Sequence, residues 1–407
     1  MQKIAVDTYN FPRMRKEGFV YVDKTAILHR LACGDFGKLF FLARPRRFGK
    51  SLAVSTLRAL FEGRRDLFTG LAIEPIWDWS KSWPVIHLDM GSTQTDSVEE
   101  FKVRLVELLH NESTRNGVEI SASNDPTILF ARLIDALSKK AEDGQVVILI
   151  DEYDKPIIGH LGDSKANQFR DTLKSFYSVV KTYEDRLRFA FLTGVSKFAK
   201  VSIFSDLNNL IDKSLSVDTA TLFGYTHEEV KNCFSQSIHD LALAMGISDD
   251  EAFAKIVYWY DGYRFEENAP LVINPVSLSL CITEQKFQDY WTQTAIPTFL
   301  IEAIKKKPIN FSDIEVDIDD LSYYEPTDPN TTALLFQTGY LTIKSVEKFS
   351  ENQYYHLGLP NHEVERSFMR NLSVAYANIE QTRSKSLMAA IERSLYTNDM
   401  DRFVEAL

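Results

Sequence analysis

At 407 residues the chain exceeds what one compact core serves, so about two or three domains are expected. Hydrophobic residues make up 44% and charged residues 25%, a balance that excludes wholesale disorder. The formal net charge of −11 excludes a chain built mainly to coat nucleic acid, while leaving room for a local basic patch.

The N-terminal stretch, Met1 to Arg15, is polar, and the longest apolar runs, 39–43 and 146–150, have strand length. No signal peptide or membrane span is expected. Cys33, Cys233 and Cys281 stand far apart without zinc-like spacing and read as thiols of a reducing compartment, which with the missing leader points to the cytoplasm. Residues 1–38 mix aromatic and charged positions, among them Tyr21-Val22-Asp23-Lys24-Thr25, before a helix-like Ala26 to Leu31. Lying just upstream of the next motif, they either cover a nucleobase or pack as an arm without touching ligand.

Lys38 to Leu42 (KLFFL) reads as a strand, followed by Arg44-Pro45-Arg46-Arg47-Phe48-Gly49-Lys50-Ser51-Leu52. Gly49, Lys50 and Ser51 fit the G-x-x-x-x-G-K-[ST] pattern, in which backbone N–H groups and a lysine surround nucleotide phosphates and a hydroxyl ligates Mg²⁺. Arg44 stands where the first glycine belongs. The candidate nucleotide contacts are Arg44, Arg46, Arg47, Phe48, Gly49, Lys50, Ser51 and Leu52. An ordinary strand-to-helix turn with exposed arginines is the competing reading of these residues alone.

A helix over 51–62 turns Leu52, Leu57, Leu60 and Phe61 inward, with Gly63 as its stop. Pro84 to Asp89 reads as a strand, Val98 to His110 as an amphipathic helix, 111–126 as a polar loop, and Thr127 to Ala141 as a helix. Gln145 to Ile150 (QVVILI) is an unbroken apolar run that suits a strand buried on both faces of a parallel sheet. It ends in Asp151-Glu152-Tyr153-Asp154-Lys155-Pro156. Adjacent carboxylates at the end of a buried strand are costly unless a cation or a reacting group needs them. Asp151 is therefore assigned to Mg²⁺ beside Ser51, and Glu152 to polarising a water. Tyr153, Asp154 and Pro156 read as turn formers.

A helix over 168–186 precedes a strand, Arg188 to Leu192, which ends in Thr193-Gly194-Val195-Ser196. A polar strand tip between loop strand and acid strand suits sensing of a terminal phosphate. Thr193 is the first choice and Ser196 the reserve, with a simple turn-capping hydroxyl equally open. Leu215 to Gly224 reads as a fifth strand, and Thr226-His227-Glu228-Glu229 as a capping box.

The pattern then changes from alternating strands and helices to mostly helices, which places a boundary near 225. An aromatic turn, Tyr258 to Phe265, reads as packing, with Arg264 a candidate for reaching phosphate from a lid. Residues 302–330 read as an exposed charged connector. A helix after Thr331, strands over 340–346 and 353–359, and a helix from about Asn361 form a helix–hairpin–helix, winged-helix-like unit without a basic stripe. The expected layout is an ATPase core with arm (1–225), a helical lid with connector (226–330) and an α+β region (331–407).

Taken together, these pieces resemble the bacterial and archaeal AAA-ATPase-like family, whose loop reads R-P-R-R-F-G-K-S. The resemblance rests on 21–25, 44–52, 148–156 (ILIDEYDKP), 192–197 (LTGVSK), 202–210 (SIFSDLNNL), 261–265 and 336–341 (FQTGYL), and runs from residue 20 to about 370. It implies an α/β P-loop NTPase core with a parallel sheet of order 5-1-4-3-2, ATP and Mg²⁺ as cofactors, Lys50 on the phosphates, Ser51 and Asp151 at the metal, and Glu152 as base. Members commonly continue into a domain resembling PD-(D/E)XK nucleases. Residues 401–407 read as a helix near that domain's start and no D…(D/E)-x-K constellation follows a strand, so no nuclease activity is expected of these residues. The expected function is a Mg²⁺-dependent ATPase moving a lid; the alternative is a nucleotide-gated switch or scaffold acting on a partner. That partner, protein or nucleic acid, is not identified by the sequence. A homo-oligomer lending an arginine stays open, and no membrane is involved.

Overall fold

The computed structural model describes residues 2–377 apart from 7, 35–36, 199–202, 205–206, 292–297, 312, 323 and 328–329. The start of the 202–210 stretch and the whole of 401–407 thus lie outside the described residues.

Five strands, β1 (Leu39–Ala43), β2 (Val85–Asp89), β3 (Val146–Asp151), β4 (Leu187–Gly194) and β5 (Ile211–Asp212), form one sheet. Every pairing in it is parallel, and the order is β2-β3-β4-β1-β5, the expected 5-1-4-3-2 viewed from the other edge. β1 and β3 are buried at every position. Apolar runs such as LFFLA and VVILID leave water on both faces only when helices cover the sheet. Among the described residues, seven α-helices belong to this part: α1 (Phe11–Glu17), α2 (Thr25–Ala32), α3 (Lys50–Phe61), α4 (Val98–Arg115), α5 (Pro126–Lys140), α6 (Lys155–Ile158) and α7 (Lys165–Thr182). α3 crosses β2, β3 and β4, while α4 and α5 pack against β2 and β3 and on each other.

Two expectations fail here for physical reasons. α4 runs to Arg115, into the segment read as a polar loop. Its extra turn is polar yet satisfied, because Glu112 accepts the His87 N–H (2.9 Å) and pairs with Arg115. β5 lies at 211–212 rather than within 215–224. The later segment folds around a buried guanidinium, since Arg44 donates to the carbonyls of Ser214 and Thr219, and those groups are lost to a ladder.

The capping box at Thr226 opens α8 (His227–Met245), which is followed by α9 (Asp249–Tyr260) and α10 (Pro275–Glu284). Val230, Phe234, Leu241, Ile256, Tyr260 and Leu278 form a second apolar cluster among these helices. Beyond it come α11 (Thr298–Lys306), β6 (Ile314–Val316), α12 (Ile318–Ser322), α13 (Thr331–Thr338), β7 (Thr342–Phe349), β8 (Asn352–Gly358) and α14 (His362–Ala377). The helix–hairpin–helix is present, with a third strand added: β6 pairs antiparallel with β8 in the order β6-β8-β7. Residues 302–330 are therefore more than an exposed connector. Ile304, Ile314, Leu321 and Tyr324 are buried between their charged neighbours and join the same apolar cluster as the main sheet. Among the described residues, no helix is long and apolar enough to cross a membrane.

Candidate functional site

Between β1 and α3 the chain makes a turn with two left-handed residues, Arg47 (φ 66°) and Gly49 (φ 99°). Gly49 is the N-cap of α3, and no side chain caps the helix there. A Cβ built on Gly49 would meet nothing within 4 Å, so its glycine serves the backbone angle and the space above the turn is open. Uncapped amides at a helix start facing open space are a natural anion site. Lys50 is buried, and its Nζ donates to the carbonyls of Arg44 and Pro45 at 2.9 Å each. Burial pushes its pKa down, against the pull of Asp151, Asp154 and Glu152.

Asp151 ends β3 beside Asp89 at the end of β2. The Ser51 hydroxyl lies near enough to the Asp151 carboxylate to favour its charged form, and that carboxylate accepts the Glu152 N–H (2.9 Å). Burial lifts the Asp151 pKa to about 6, with Ser51 and Lys50 opposing the rise. Glu152 stands in a left-handed conformation (φ 50°), and its carboxylate is half-exposed. Its Oε2 lies over Gly91, 3.1 Å from where a Cβ there would sit, and 3.8 Å from Lys155 Nζ. Lys50, Ser51, Asp151 and Glu152 thus lie together beyond the C-terminal ends of the strands. Among the described residues, no group of three or more His, Cys, Asp or Glu side chains is placed to hold a metal. One hydroxyl and one carboxylate nonetheless fit Mg²⁺, which takes few protein oxygens and completes its shell with water and phosphate.

Thr193 sits in β4 opposite Leu42, fully buried, with its hydroxyl donated to the Leu42 carbonyl (2.7 Å). Ser196, the reserve, is also buried and accepts the Tyr324 hydroxyl (2.8 Å). The turn-forming reading of Asp154 agrees with its geometry. Its carboxylate accepts the N–H groups of Val195 (3.1 Å) and Ser196 (2.6 Å) and ties the end of β3 to the end of β4.

The arginines of the loop separate. Arg44 is 2% exposed, donates to the Ala43, Ser214 and Thr219 carbonyls, and lies with its guanidinium 4.3 Å from the centre of the Phe265 ring. Burial lowers its pKa to about 9, opposed by Asp212. It shapes the turn from below. Arg47 donates to the Tyr290 carbonyl (2.5 Å). Arg46 is exposed, and its charge acts on Lys50. Arg264 donates to the Lys344 carbonyl (3.4 Å), toward the β7–β8 hairpin.

Sequence reading missed how many distant residues grip this loop. Phe48 meets the edges of Tyr263 (4.8 Å) and Phe265 (5.4 Å). Pro45 lies so near Gly339 that a Cβ there would come within 2.8 Å. The Trp291 indole donates to the Arg46 carbonyl (3.3 Å). On the other side of the loop a cleft opens among the arm, α3 and α10, lined by Tyr9, Tyr21, Lys24, Phe48, Leu222 and Val276. Lys24 is fixed there by Glu229 (2.6 Å).

A parallel 5-1-4-3-2 sheet whose first strand runs into a lysine-bearing, amide-lined turn, with an acid pair at the tip of the third strand, one strand away, defines the class of P-loop nucleotide-binding proteins. A family model described as predicted AAA-ATPase matches residues 5–204. A protein of Azotobacter chroococcum mcd 1, described as an uncharacterized protein in vnfD 5'region, is 37% identical over 380 residues, covering 92% of this chain and 70% of that protein. The chain belongs to the predicted AAA-ATPase-like family. Membership marks it as a nucleotide-binding protein of the ATPase class.

Proposed function

We propose that the chain is a Mg²⁺-dependent ATPase in which hydrolysis at the Arg44–Leu52 turn moves the helical part beyond residue 225. The observation that carries this reading is the buried Asp151 carboxylate close to Ser51 and Lys50 beneath an open, amide-lined turn, with the half-exposed Glu152 carboxylate, 3.8 Å from Lys155, beside it. ATP places its phosphates on the turn and its base in the cleft under the N-terminal arm. Lys50 exchanges its two loop carbonyls for phosphate oxygens. Bound Mg²⁺ supplies charge neutralisation at the phosphates, held by Ser51 and Asp151. Glu152 orients the attacking water, and Arg46, the exposed arginine, adds positive charge. Thr193 senses the terminal phosphate only by giving up its bond to Leu42. The residue ranges 1–225, 226–330 and 331–407 are the working units of this scheme. A cytoplasmic setting supplies both ATP and the reducing conditions that keep the cysteines as thiols.

A second reading, a switch or scaffold with little turnover controlling a C-terminal effector or partner, draws on the grip that Tyr263, Phe265, Trp291 and Gly339 exert on the loop. The two separate on incubation with radiolabelled ATP, with and without Mg²⁺. Repeated phosphate release that stops on chelation supports the ATPase. Stoichiometric retention of uncleaved ATP supports the switch, and absence of any binding rejects both.

A further inference from the structure

Glu363, in the first turn of α14, is fully buried and makes no ion pair among the described residues. One carboxylate oxygen accepts the N–H groups of Tyr290 (2.6 Å) and Trp291 (2.7 Å), and the other accepts the Ser277 hydroxyl (2.8 Å). A carboxyl placed deep in the interior without a cation is expensive, and burial pushes its pKa up to about 7. The loop offers a reason for keeping it. The same two residues that Glu363 holds are the ones that hold Arg46 and Arg47: the Tyr290 carbonyl receives Arg47, and the Trp291 indole donates to the Arg46 carbonyl. Arg47 is a non-glycine residue at φ 66°, a strained conformation that persists only when its surroundings impose it.

We infer that Glu363 is a positioning residue of the nucleotide site, fixing the shape of the phosphate turn through the Tyr290–Trp291 segment. The inference rests on nucleotide occupying the Arg44–Leu52 turn. Since coupling is reciprocal, a nucleotide that settles the turn also settles the head of α14. Glu363 touches no ligand. Its effect passes through two backbone amides, one indole N–H and one guanidinium.

The test uses the full chain, a fluorescent methylanthraniloyl ATP with Mg²⁺ as probe, and hydrogen exchange of the α14 amides. Trp291→Phe keeps a ring in place and removes the N–H that reaches Arg46; its probe Kd rises about three- to tenfold, the worth of one hydrogen bond. Glu363→Ala raises Kd at least as much, whereas Glu363→Gln, which retains an acceptor for both amides, stays within about twofold of the parent. The Trp291→Phe/Glu363→Ala double variant shows less than the product of the two single effects, because both act along one chain of contacts. In the parent, probe slows α14 exchange, and in Trp291→Phe it does so less. If Glu363→Ala does not fold, Trp291→Phe and the exchange data decide alone. A parent that binds probe while Trp291→Phe keeps parental Kd, or while α14 ignores the probe, overturns the role of Glu363 and leaves the nucleotide reading standing. A parent that binds no probe overturns both.

Discussion

Replacing Asp151 by Asn separates the cost of the site from its chemistry. Burial lifts this carboxyl from 3.8 to about 6. At about 1.36 kcal/mol per pH unit, holding it ionised at pH 7.5 costs the nucleotide-free protein about 3 kcal/mol. Because the folded state binds this proton more tightly than the unfolded chain, it carries more protons between about pH 4 and 6. Stability from this group therefore falls as pH rises through that window and is level above it. Asn keeps an acceptor for the Glu152 N–H and carries no charge. Lys50, itself buried, loses a favourable neighbour in the exchange, so the net gain is smaller, on the order of 1 kcal/mol. In urea titrations followed by tryptophan fluorescence, Asp151→Asn is at least as stable as the parent at pH 7.5. Its advantage disappears at pH 5, where ionisation costs the parent about 1.6 kcal/mol instead of about 3. Mg²⁺-dependent ATP turnover drops by about two orders of magnitude or more in the same protein, as one electrostatic group is removed from the transition state. A variant destabilised by more than about 2 kcal/mol at pH 7.5, or a gain unchanged at pH 5, refutes the reasoning.

Two further predictions concern the turn itself. Arg44→Ala leaves the Ser214 and Thr219 carbonyls without their buried donor and removes the stack on Phe265; it destabilises by about 3–5 kcal/mol in urea unfolding, and Arg44→Lys, with no planar fork to span both carbonyls, recovers little. Gly339→Ala meets both a left-handed backbone (φ 89°) and the Pro45 ring at 2.8 Å; it costs about 1–3 kcal/mol in the same assay and weakens ATP binding by displacing the loop.

The parts of this molecule that are periodic or local were legible in its sequence. Apolar runs placed β1 to β4, the spacing of Leu57, Leu60 and Phe61 placed α3, and Thr226 with Glu229 announced α8. The sheet order came through the resemblance, since apolar runs alone do not say which strand lies beside which. What escaped was set by partners far along the chain. β5 is two residues long and has no pattern of its own; it exists because β1 offers a free edge. The last turn of α4 looks like loop until Glu112 finds Arg115 and the His87 amide. Arg44 reads as one of three loop arginines, yet its position beneath the turn depends on carbonyls at 214 and 219 and a ring at 265. The same holds for Thr193, whose tip position was readable while its bond to Leu42 was not.

The grip on the loop gives the distant stretches of the resemblance a common physical purpose. Residues 261–265 supply the rings against Phe48, and 336–341 supply the glycine against Pro45 and a tyrosine against Trp291. A turn with two left-handed residues and an uncapped helix start is not self-supporting. Contacts from beyond residue 225 supply the support, which makes the turn's shape sensitive to how that part is placed.

The central claim is that phosphate sits on this turn and that Glu152 acts on the water beside it. Calorimetric titration of Mg²⁺·ATP into the parent, Lys50→Ala and Glu152→Gln, with phosphate release measured on the same samples, tests it most directly. The account predicts binding by the parent and Glu152→Gln, no measurable binding by Lys50→Ala, and turnover by the parent alone. Parental affinity in Lys50→Ala, or parental turnover in Glu152→Gln, would contradict it.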